Sequence, residues 1–464
     1  MQEFDLLIIG SGPGGYRAAV LGKLRGLKVA IVEKAQWGGC CLNRGCVPKK
    51  DWHHTAQLVA ASRDFAQRGI QGSLTADLAT AWQHQKRVVT TVRDSYVDYM
   101  KRLGISAFSG EASFIDGHQV SIAGAQVVRA QHIIIATGSS PVVPEPFKLA
   151  ADHVLTTDDL YNNPPPPGRR VGLIGSGVIG TEFAFILTML GCEVVWLTQS
   201  QPLANSLYSP PALKLLYEAL VQYGVQARAD SRVLSMQVSE NRVTLGLKNG
   251  SETVDWVLIG AGRRPHSADL NLAAAGVVTD SQGFIKVNAY QQTEASHIFA
   301  IGDVASVRMT ANQALAGAAV AVTNILSPHS RKSDSNAVPE LVYSALELGR
   351  LGINEEQAED GGLEPAVGFA AFEANPRALG QDDIRGFVRL IADMDSGALL
   401  GAEVVGSEAG ELIHLISQEY GKDDALARFA QGFYNHPARA EELQNAAETL
   451  AAKWGLADQV FGAA

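Results

Sequence analysis

Three of the four cysteines lie within seven residues, at Cys40, Cys41 and Cys46. The fourth, Cys192, sits in an apolar stretch and is expected to be a core residue. A secreted disulfide scaffold would have more cysteines in a shorter chain. Clustered cysteines in a cytosolic chain indicate redox chemistry or metal binding instead. Four residues separate Cys41 from Cys46, a spacing that suits a redox-active disulfide across one distorted helical turn.

A zinc site is the alternative for this cluster. It would need two more ligands close by, and His53 and His54 could supply them. Their arrangement is not a usual zinc spacing, so no metal is expected. Cys40 is expected to pack as a small residue.

Two glycine-rich segments have the spacing of dinucleotide-binding fingerprints. In each, the first glycine makes a tight turn, the second admits a pyrophosphate, and the third lets a helix pack on a strand. The N-terminus of that helix then faces the phosphates. The glycines concerned are Gly10, Gly12 and Gly15 in the first segment, and Gly175, Gly177 and Gly180 in the second.

Each fingerprint stands between an apolar run of strand length and an apolar helical stretch. The first unit starts with the strand 4–9 and ends with the strand 28–32, and the second occupies 171–198. A lone fingerprint is a weak signal, but its position in a strand–helix–strand unit strengthens it. Two such units predict two doubly wound parallel sheets, an α/β fold.

The two units differ where an acidic residue is expected to bind ribose hydroxyls. Glu33 lies 18 residues after Gly15, at the end of the second strand of the first unit. The equivalent position in the second unit is Thr198, followed by Gln199 and Ser200. The second site therefore has neither an acid that favours NAD nor an arginine for the 2′-phosphate of NADP.

Composition limits the partners of the protein. The formal net charge of −10 disfavours nucleic acid, and no block of Lys and Arg argues otherwise. The N-terminus lacks the pattern of a signal peptide, and no apolar run reaches the ~18 residues of a membrane span. We therefore expect a soluble, cytoplasmic protein that binds neither nucleic acid nor membrane.

The cysteine segment carries a resemblance to a known family. Residues 38–50, GGCCLNRGCVPKK, with GPGG upstream, resemble the pyridine nucleotide-disulfide oxidoreductases, and the resemblance covers essentially the whole chain. The family implies FAD at the first fingerprint and NAD at the second, with NADP not excluded. Residues 133–139 resemble a family strand that contains Thr137 and Gly138, and 299–303 resemble the segment whose aspartate, Asp303, binds FAD.

Further family motifs imply catalytic roles. Residues 434–441, YNHPARAE, resemble the C-terminal signature in which His436 is the acid/base for the thiols and Glu441 orients it. In the family this pair comes from the partner subunit, so a homodimer is implied. An imidazole suits this task because it exchanges protons near neutral pH.

The resemblance also implies roles near the flavin. Cys41 would exchange with the substrate, and Cys46 would lie against the flavin. Lys50 would lie beside the flavin and pair with Glu182 of the motif that follows Gly180.

Individual positions favour different branches of the family. Tyr16 and the pair Leu42-Asn43 resemble dihydrolipoamide dehydrogenase, whereas 47–50, VPKK, are more similar to glutathione reductase. The chain departs from the dihydrolipoamide dehydrogenase pattern at Tyr434 and Ala438. We expect a divergent relative that acts on lipoyl groups, with an unusual carrier protein as one candidate bearer of those groups. A glutathione reductase-like enzyme for small disulfides, and a non-catalytic flavoprotein subunit, stay as alternatives.

Two stretches suggest boundaries between domains. The proline-rich run 162–168 is expected to be a stiff, extended connector between two domains, and the polar stretch 327–336 is a second boundary. The strand-like and helical segments that follow predict a C-terminal α+β dimerisation domain. The expected division is 1–150 for the first part of the FAD domain, 151–275 for the NAD domain, 276–330 for the rest of the FAD domain, and 337–464 for the interface domain.

Overall fold

The computed structural model describes residues 1–462. Its elements up to Asn162 are β1 (Gln2–Ile9), α1 (Pro13–Leu24), β2 (Val29–Glu33), α2 (Gly39–Arg44), α3 (Cys46–Ala61), α4 (Leu78–Arg102), β3 (Ser106–Ser109), β4 (Ala112–Phe114), β5 (Gln119–Ile122), β6 (Gln126–Ile135), β7 (Ser139–Pro141), β8 (Val154–Thr156) and α5 (Thr157–Asn162). The following elements, up to Leu326, are β9 (Arg170–Ile174), α6 (Val178–Met189), β10 (Glu193–Leu197), α7 (Pro210–Gln222), β11 (Ala227–Arg228), β12 (Ser235–Ser239), β13 (Arg242–Leu247), β14 (Gly250–Val254), β15 (Trp256–Ile259), β16 (Arg263–Pro265), β17 (Ile298–Ala300) and α8 (Ala311–Leu326).

The C-terminal part of the chain continues this series. Its elements are β18 (Glu340–Tyr343), β19 (Glu347–Gly352), α9 (Glu355–Asp360), β20 (Pro365–Ala371), α10 (Pro376–Gln381), β21 (Phe387–Asp393), β22 (Leu399–Val405), α11 (Ala409–Glu419), α12 (Ala425–Ala430), α13 (Glu441–Trp454) and α14 (Ala457–Phe461). Short 3-10 turns occupy Ser62–Arg68, Ala268–Leu270, Leu272–Ala275, Gly302–Val304 and Phe372–Ala374.

The structure divides into two compact units. One comprises residues 1–180, 186–199 and 227–334, and the other comprises 181–185, 200–226 and the chain from Ser335 onward. Within residues 1–462, no helix is both long and apolar enough to cross a membrane.

The first unit contains a seven-stranded sheet built around the first fingerprint. The strand order is β3-β2-β1-β6-β5-β4, and β17 also pairs with β6. The strands β3, β2, β1, β6 and β17 are parallel, whereas β4 and β5 form an antiparallel extension. Most apolar side chains of β1 and β6 are buried and form cores on both faces of the sheet. This arrangement places the loop between β1 and α1 at the carboxyl edge of the parallel strands.

A second parallel sheet in the same unit surrounds the second fingerprint. Its strand order is β11-β10-β9-β15-β8, and the antiparallel sheet β12-β13-β14 accompanies it. The strand β8 precedes the run 162–168 and pairs with β15 in this same sheet. The predicted interdomain connector is therefore wrong, because the proline-rich run joins two elements of one sheet. Proline composition indicates extended backbone but does not indicate which elements that backbone joins.

The chain instead passes between the two sheets through a two-stranded antiparallel ribbon. Its strands are β7, which follows the first part of the seven-stranded sheet, and β16, which follows β15. Arg263 of β16 lies opposite Pro141 of β7 in this register.

The second unit contains an antiparallel sheet of order β18-β19-β22-β21-β20. The helices α11, α12 and α13 supply apolar side chains to a core that also includes Val388, Leu390 and Val404 of the sheet. Two parallel dinucleotide-type sheets and a C-terminal α+β element confirm the predicted fold class. The exact domain boundaries stay a prediction.

Candidate functional site

The first fingerprint forms a turn in which two glycines touch backbone and the one between them does not. A Cβ atom on Gly10 would lie 2.4 Å from the Ala136 carbonyl oxygen, and one on Gly15 would lie 1.9 Å from the Gly10 carbonyl oxygen. A Cβ on Gly12 would meet no described atom within 4 Å. The backbone at Gly12 therefore faces open space, as a loop that receives a pyrophosphate must.

The second fingerprint repeats this geometry. A Cβ on Gly175 would lie 2.3 Å from the Gly260 carbonyl oxygen, and one on Gly180 would lie 2.1 Å from the Gly175 carbonyl oxygen. A Cβ on Gly177 would again meet no described atom within 4 Å. Both predicted turns therefore have the shape of a dinucleotide cradle.

The carboxylate of Glu33 is fixed at the edge of the first cradle. Its Oε2 accepts hydrogen bonds from the Ser11 backbone N–H at 2.9 Å and the Ser11 hydroxyl at 2.6 Å. Its Oε1 accepts one from the Ala35 N–H at 2.9 Å. These donors orient the carboxylate beside the loop, where the spacing predicts ribose hydroxyls.

Thr198 stands at the equivalent edge of the second cradle, and its side chain is buried. Its hydroxyl donates to the Arg228 carbonyl oxygen at 3.4 Å, and its N–H donates to the same oxygen at 3.1 Å. The guanidinium of Arg228 pairs with Glu252 on β14. Sequence reasoning missed this neighbouring cation, because Arg228 is brought to Thr198 only by the pairing of β11 with β10.

The cysteine segment forms two helices separated by a break. The helix α2 ends at Arg44, Gly45 separates the two helices, and Cys46 begins α3. The Cys41 thiol is hydrogen-bonded to Cys46, and this bond, together with burial, raises the pKa of Cys41 well above its usual value. The four cysteines, all among residues 1–462, are present as thiols in the structure. The two predicted redox sulfurs are thus in direct contact in their dithiol form.

The end of α2 is held by the buried side chain of Asn43. Its Nδ2 donates to the Trp37 carbonyl at 2.9 Å and to the Gly39 carbonyl at 2.8 Å. A Cβ on Gly39 would lie 2.7 Å from the Gly12 Cα, so α2 begins directly against the first cradle. This contact places the thiol segment next to the first dinucleotide loop.

Tyr96 of α4 is a further residue near the thiols that sequence reasoning missed. Burial raises its pKa, and the negative charge of an ionised Cys41 adds to the effect. Its ring stacks on Tyr16 of α1 with centroids 4.1 Å apart. No motif identifies Tyr96, since only the packing of α4 brings it to the site.

Asp303 lies in a polar cluster of the first unit. Its Oδ2 accepts a hydrogen bond from the Ser139 hydroxyl at 2.5 Å, and the Arg263 Nε lies 4.0 Å from the same oxygen. Thr137, one residue before Gly138, donates its hydroxyl to the His266 carbonyl at 2.6 Å. Ser139 and Arg263 were not predicted, and they surround the carboxylate that the family motif indicates.

Lys50 and Glu182 lie on different helices, Lys50 on α3 and Glu182 on α6. Glu182 is buried, and its Oε1 accepts a hydrogen bond from the Tyr343 backbone N–H at 2.8 Å. The pairing of Glu182 with Lys50 stays a prediction.

His436 and Glu441 form a contact in the second unit. The His436 Nδ1 lies 2.8 Å from the Glu441 Oε1, and the Ala438 N–H donates to Oε2 at 2.7 Å. These two bonds lower the pKa of the Glu441 carboxyl. The imidazole is 72% exposed, so its other nitrogen faces outward from the unit. A carboxylate that binds Nδ1 leaves Nε2 for proton transfer.

Tyr434, which replaces a histidine of the family signature, has a structural contact instead. Its hydroxyl donates to the Phe429 carbonyl at 2.9 Å. Burial raises its pKa to about 12. Among residues 1–462, no group of three or more His, Cys, Asp or Glu side chains is arranged to hold a metal ion.

Two dinucleotide cradles with a dithiol beside the first define a flavin- and nicotinamide-dependent disulfide oxidoreductase class. Family models agree: residues 4–318 match the pyridine nucleotide-disulphide oxidoreductases, and residues 338–447 match the dimerisation domain of the same family. The chain belongs to the pyridine nucleotide-disulphide oxidoreductase family, whose members bind FAD and a pyridine nucleotide.

Three similar proteins illustrate the relationship. The dihydrolipoyl dehydrogenase of Chlamydia muridarum is 33% identical over 445 residues, which cover 95% of each chain. The crystal structure of LpdA from Mycobacterium tuberculosis has a TM-score of 0.89 at 21% identity, covering 97% of this chain and all of that one. The Cu(II) complex of the HOCl-induced flavoprotein disulfide reductase RclA from Escherichia coli has a TM-score of 0.83 at 26% identity, covering 97% and 99%.

The fingerprint geometry gives a paired prediction. Gly15→Ala should lower the free energy of unfolding by about 3 kcal/mol or more, because its Cβ would overlap the Gly10 carbonyl oxygen. Gly12→Ala should change that free energy by less than about 1 kcal/mol and yet weaken FAD retention, because its Cβ fills the open side of the cradle. Urea unfolding and FAD content after purification measure the two effects. Equal destabilisation by both substitutions would contradict this assignment.

Proposed function

We propose that the protein transfers electrons between a dithiol/disulfide substrate, with lipoyl groups as the best candidate, and NAD(H), through FAD and the Cys41–Cys46 pair. The observation that carries this proposal is the contact of these two thiols next to the first dinucleotide cradle. A metal-binding or purely structural role for the cysteines would not require that position.

The first cradle fits FAD. The open backbone at Gly12 would admit the pyrophosphate between Gly10 and Gly15, and Glu33 would bind the adenosine ribose. Asp303 would bind the ribityl chain, supported by its carboxylate being held by Ser139. The remaining contacts assigned to FAD are those of Thr137, Gly138 and Lys50. FAD held by these residues would supply two-electron redox chemistry between the Cys41–Cys46 dithiol and the nicotinamide.

The thiol chemistry requires proton transfer. His436 of the partner subunit takes a proton from a substrate thiol, and the resulting thiolate attacks the Sγ of Cys41 in the oxidised pair. The Cys41–Cys46 bond breaks, and Cys46 leaves as a thiolate. The second substrate sulfur then displaces Cys41 from the mixed disulfide, so the substrate becomes a disulfide. The imidazole returns its first proton to Cys41 as that sulfur leaves, and it takes the proton of the second substrate thiol and passes it to water. The two electrons that the substrate loses stay on the protein as the Cys41 thiol and the Cys46 thiolate.

Glu441 supports this proton transfer. The Ala438 N–H and the imidazole lower the pKa of its carboxyl, so it stays ionised over the working pH range and holds the Nδ1 side of His436. The resemblance assigns this pair to the partner subunit, and the match of residues 338–447 to a dimerisation domain supports a homodimer. The fully exposed Phe433 near His436 fits a surface that a second subunit covers.

The lipoyl assignment is supported by the names of relatives and by the residues at the thiols. The dihydrolipoyl dehydrogenase of Chlamydia muridarum is 33% identical, and Tyr16 and Leu42 match that branch. Assays with dihydrolipoamide, free and on a carrier protein, and with glutathione disulfide separate this substrate class from small disulfides. If the protein turned over glutathione disulfide but not dihydrolipoamide in either form, the lipoyl assignment would be wrong. The rest of the mechanism would still hold.

The electronic contact of the second sulfur with FAD should be visible in the absorption spectrum. The purified protein should be yellow, and Cys41→Ser should show a long-wavelength thiolate-to-flavin band without added reductant, because Cys46 is then freed from its disulfide. Cys46→Ser is the matched control and should lack the band. A Cys41→Ser protein with an ordinary oxidised-flavin spectrum at all accessible pH values would contradict the assignment.

The acid/base assignment predicts both a magnitude and a pH dependence. His436→Gln should lower turnover by roughly 10²–10⁴, with FAD still bound. Without the imidazole, attack on Cys41 relies on the fraction of substrate thiol that ionises unaided. Below the ordinary thiol pKa of about 8.5 this fraction, and with it the residual turnover, should increase about tenfold per pH unit between about pH 7 and 8.

A matched control variant at Glu441 accompanies the His436 variant. Glu441→Gln should lower turnover less than His436→Gln does, because it removes the group that orients the imidazole and leaves the base itself in place. Steady-state rates with dihydrolipoamide across this pH range measure the effect. Normal turnover by His436→Gln would place the base on another residue.

Nucleotide choice depends on the second cradle. We favour NAD(H), because Arg228, whose backbone contacts Thr198, has its guanidinium paired with Glu252, and a 2′-phosphate without a cation is poorly compensated. Discrimination should be modest, because no acid repels that phosphate. A preference for NADPH above about a hundredfold, about 2.7 kcal/mol, would overturn this choice.

Two substitutions should shift the preference in opposite directions. Thr198→Glu should sharpen the preference for NADH, because Glu33 occupies the same position beside the first cradle. Gln199→Arg should improve the use of NADPH, since Gln199 is exposed whereas Thr198 is buried. The ratio of kcat/KM for NADH to that for NADPH measures both effects. Identical ratios in the wild type and both variants would show that the edge of the second cradle at Thr198 and Gln199 does not select the nucleotide.

A further inference from the structure

Cys40 has no role in the thiol chemistry, although it adjoins Cys41 in sequence. Burial is the largest cause that raises its pKa, so Cys40 stays a neutral thiol near pH 7. A neutral thiol is a poor nucleophile. Its contacts, rather than its reactivity, must account for any function.

The sulfur of Cys40 accepts a hydrogen bond from the Arg263 guanidinium. The Nη2 of Arg263 lies 3.4 Å from the Cys40 Sγ and also donates to the Ser139 carbonyl oxygen at 2.8 Å. The same arginine donates from Nε to the Ser139 hydroxyl at 2.7 Å. These bonds connect residues that are 223 positions apart in the chain.

The connection continues to Asp303. The Ser139 hydroxyl accepts from Arg263 and donates to the Asp303 carboxylate at 2.5 Å. Cys40, Arg263, Ser139 and Asp303 therefore form an unbroken series of hydrogen bonds. We name these four residues the Cys40 relay.

The relay connects three parts of the first unit. Cys40 lies on α2, the helix that also carries Cys41, and Asp303 follows β17 in the parallel sheet. Arg263 and Ser139 lie on the ribbon of β16 and β7 that leads to and from the second sheet. The charges of Asp158 and Arg44 also act on Cys40, and these two residues pair with each other at 3.1 Å. Arg263 is therefore the cation that Cys40 binds directly.

We propose that Cys40 and Arg263 are positioning residues that keep the thiol-bearing helix α2 in register with Asp303. This inference rests on the proposed function, because it takes Asp303 as a ligand of FAD. Cys40 supplies an acceptor that fixes the guanidinium, and the guanidinium fixes the Ser139 hydroxyl on the carboxylate. Loss of the acceptor removes one of the three hydrogen bonds that hold Arg263 and weakens the orientation of Asp303 toward the cofactor.

The test compares acceptor and non-acceptor side chains at position 40 in the holoenzyme. Cys40→Ala should speed FAD release about fivefold, the equivalent of about 1 kcal/mol for one hydrogen bond. Cys40→Ser keeps an acceptor at the same position and should stay near the wild-type rate. Arg263→Gln should speed release by roughly tenfold to a hundredfold, because it removes charged hydrogen bonds. FAD fluorescence, followed below the unfolding temperature, measures each rate.

A double variant separates positioning from simple packing. If Cys40 acts through Arg263, Cys40→Ala should add nothing in the Arg263→Gln background. If the sulfur acted only by packing, the fold-increases in FAD release rate of the two single variants would multiply in the double variant. Cys192→Ala removes a cysteine whose pKa burial raises to about 12, outside the relay, and should release FAD at the wild-type rate.

The outcomes distinguish this inference from the proposed function. Cys40→Ala and Cys40→Ser proteins with equal release rates, or multiplicative effects in the double variant, overturn the relay and leave the proposed function intact. A wild-type protein that purifies without flavin and does not take it up overturns both.

Discussion

The rest of the first unit depends on the close approach of one helix to one strand. The Gly15 Cα lies so near the Gly10 carbonyl that even a methyl group would overlap it, and Gly180 repeats this approach to Gly175. Only glycine permits helix α1 to begin directly over the end of β1. That position leaves the backbone at Gly12 open and brings the start of α2 within contact of it. The location of the dithiol beside a dinucleotide loop follows from this single steric constraint.

Features encoded by short-range spacing could be predicted from the sequence. The fingerprints and the Cys41–Cys46 pair each lie within a few residues, so local helix and turn conformation indicates their geometry. The His436–Glu441 pair follows instead from the resemblance of residues 434–441 to a family signature. The fold class followed from repeated strand–helix–strand patterns. Glu33 needed a longer spacing, but the βαβ unit has a nearly fixed length, which made that position predictable as well.

Contacts that depend on the meeting of distant strands could not be predicted. Arg228 reaches Thr198 through the pairing of a two-residue strand, and Arg263 reaches Cys40 through the return of the chain along a ribbon. Neither arginine belongs to a motif with a fixed spacing. The run 162–168 was misassigned for a related reason: β8 has only three residues, too few to produce an alternating or apolar pattern.

The ribbon of β7 and β16 gives the chain a nested topology. The Val142 N–H donates to the Gly262 carbonyl at 2.9 Å, so the chain leaves and re-enters the seven-stranded sheet at adjacent points. The second dinucleotide sheet is therefore an insertion with coincident ends. A closed insertion of this kind imposes little strain on its host, because the host strands need not separate to accommodate it. In evolutionary terms, an insertion with adjacent ends can be gained or exchanged as a unit without altering the strand order of the sheet that hosts it.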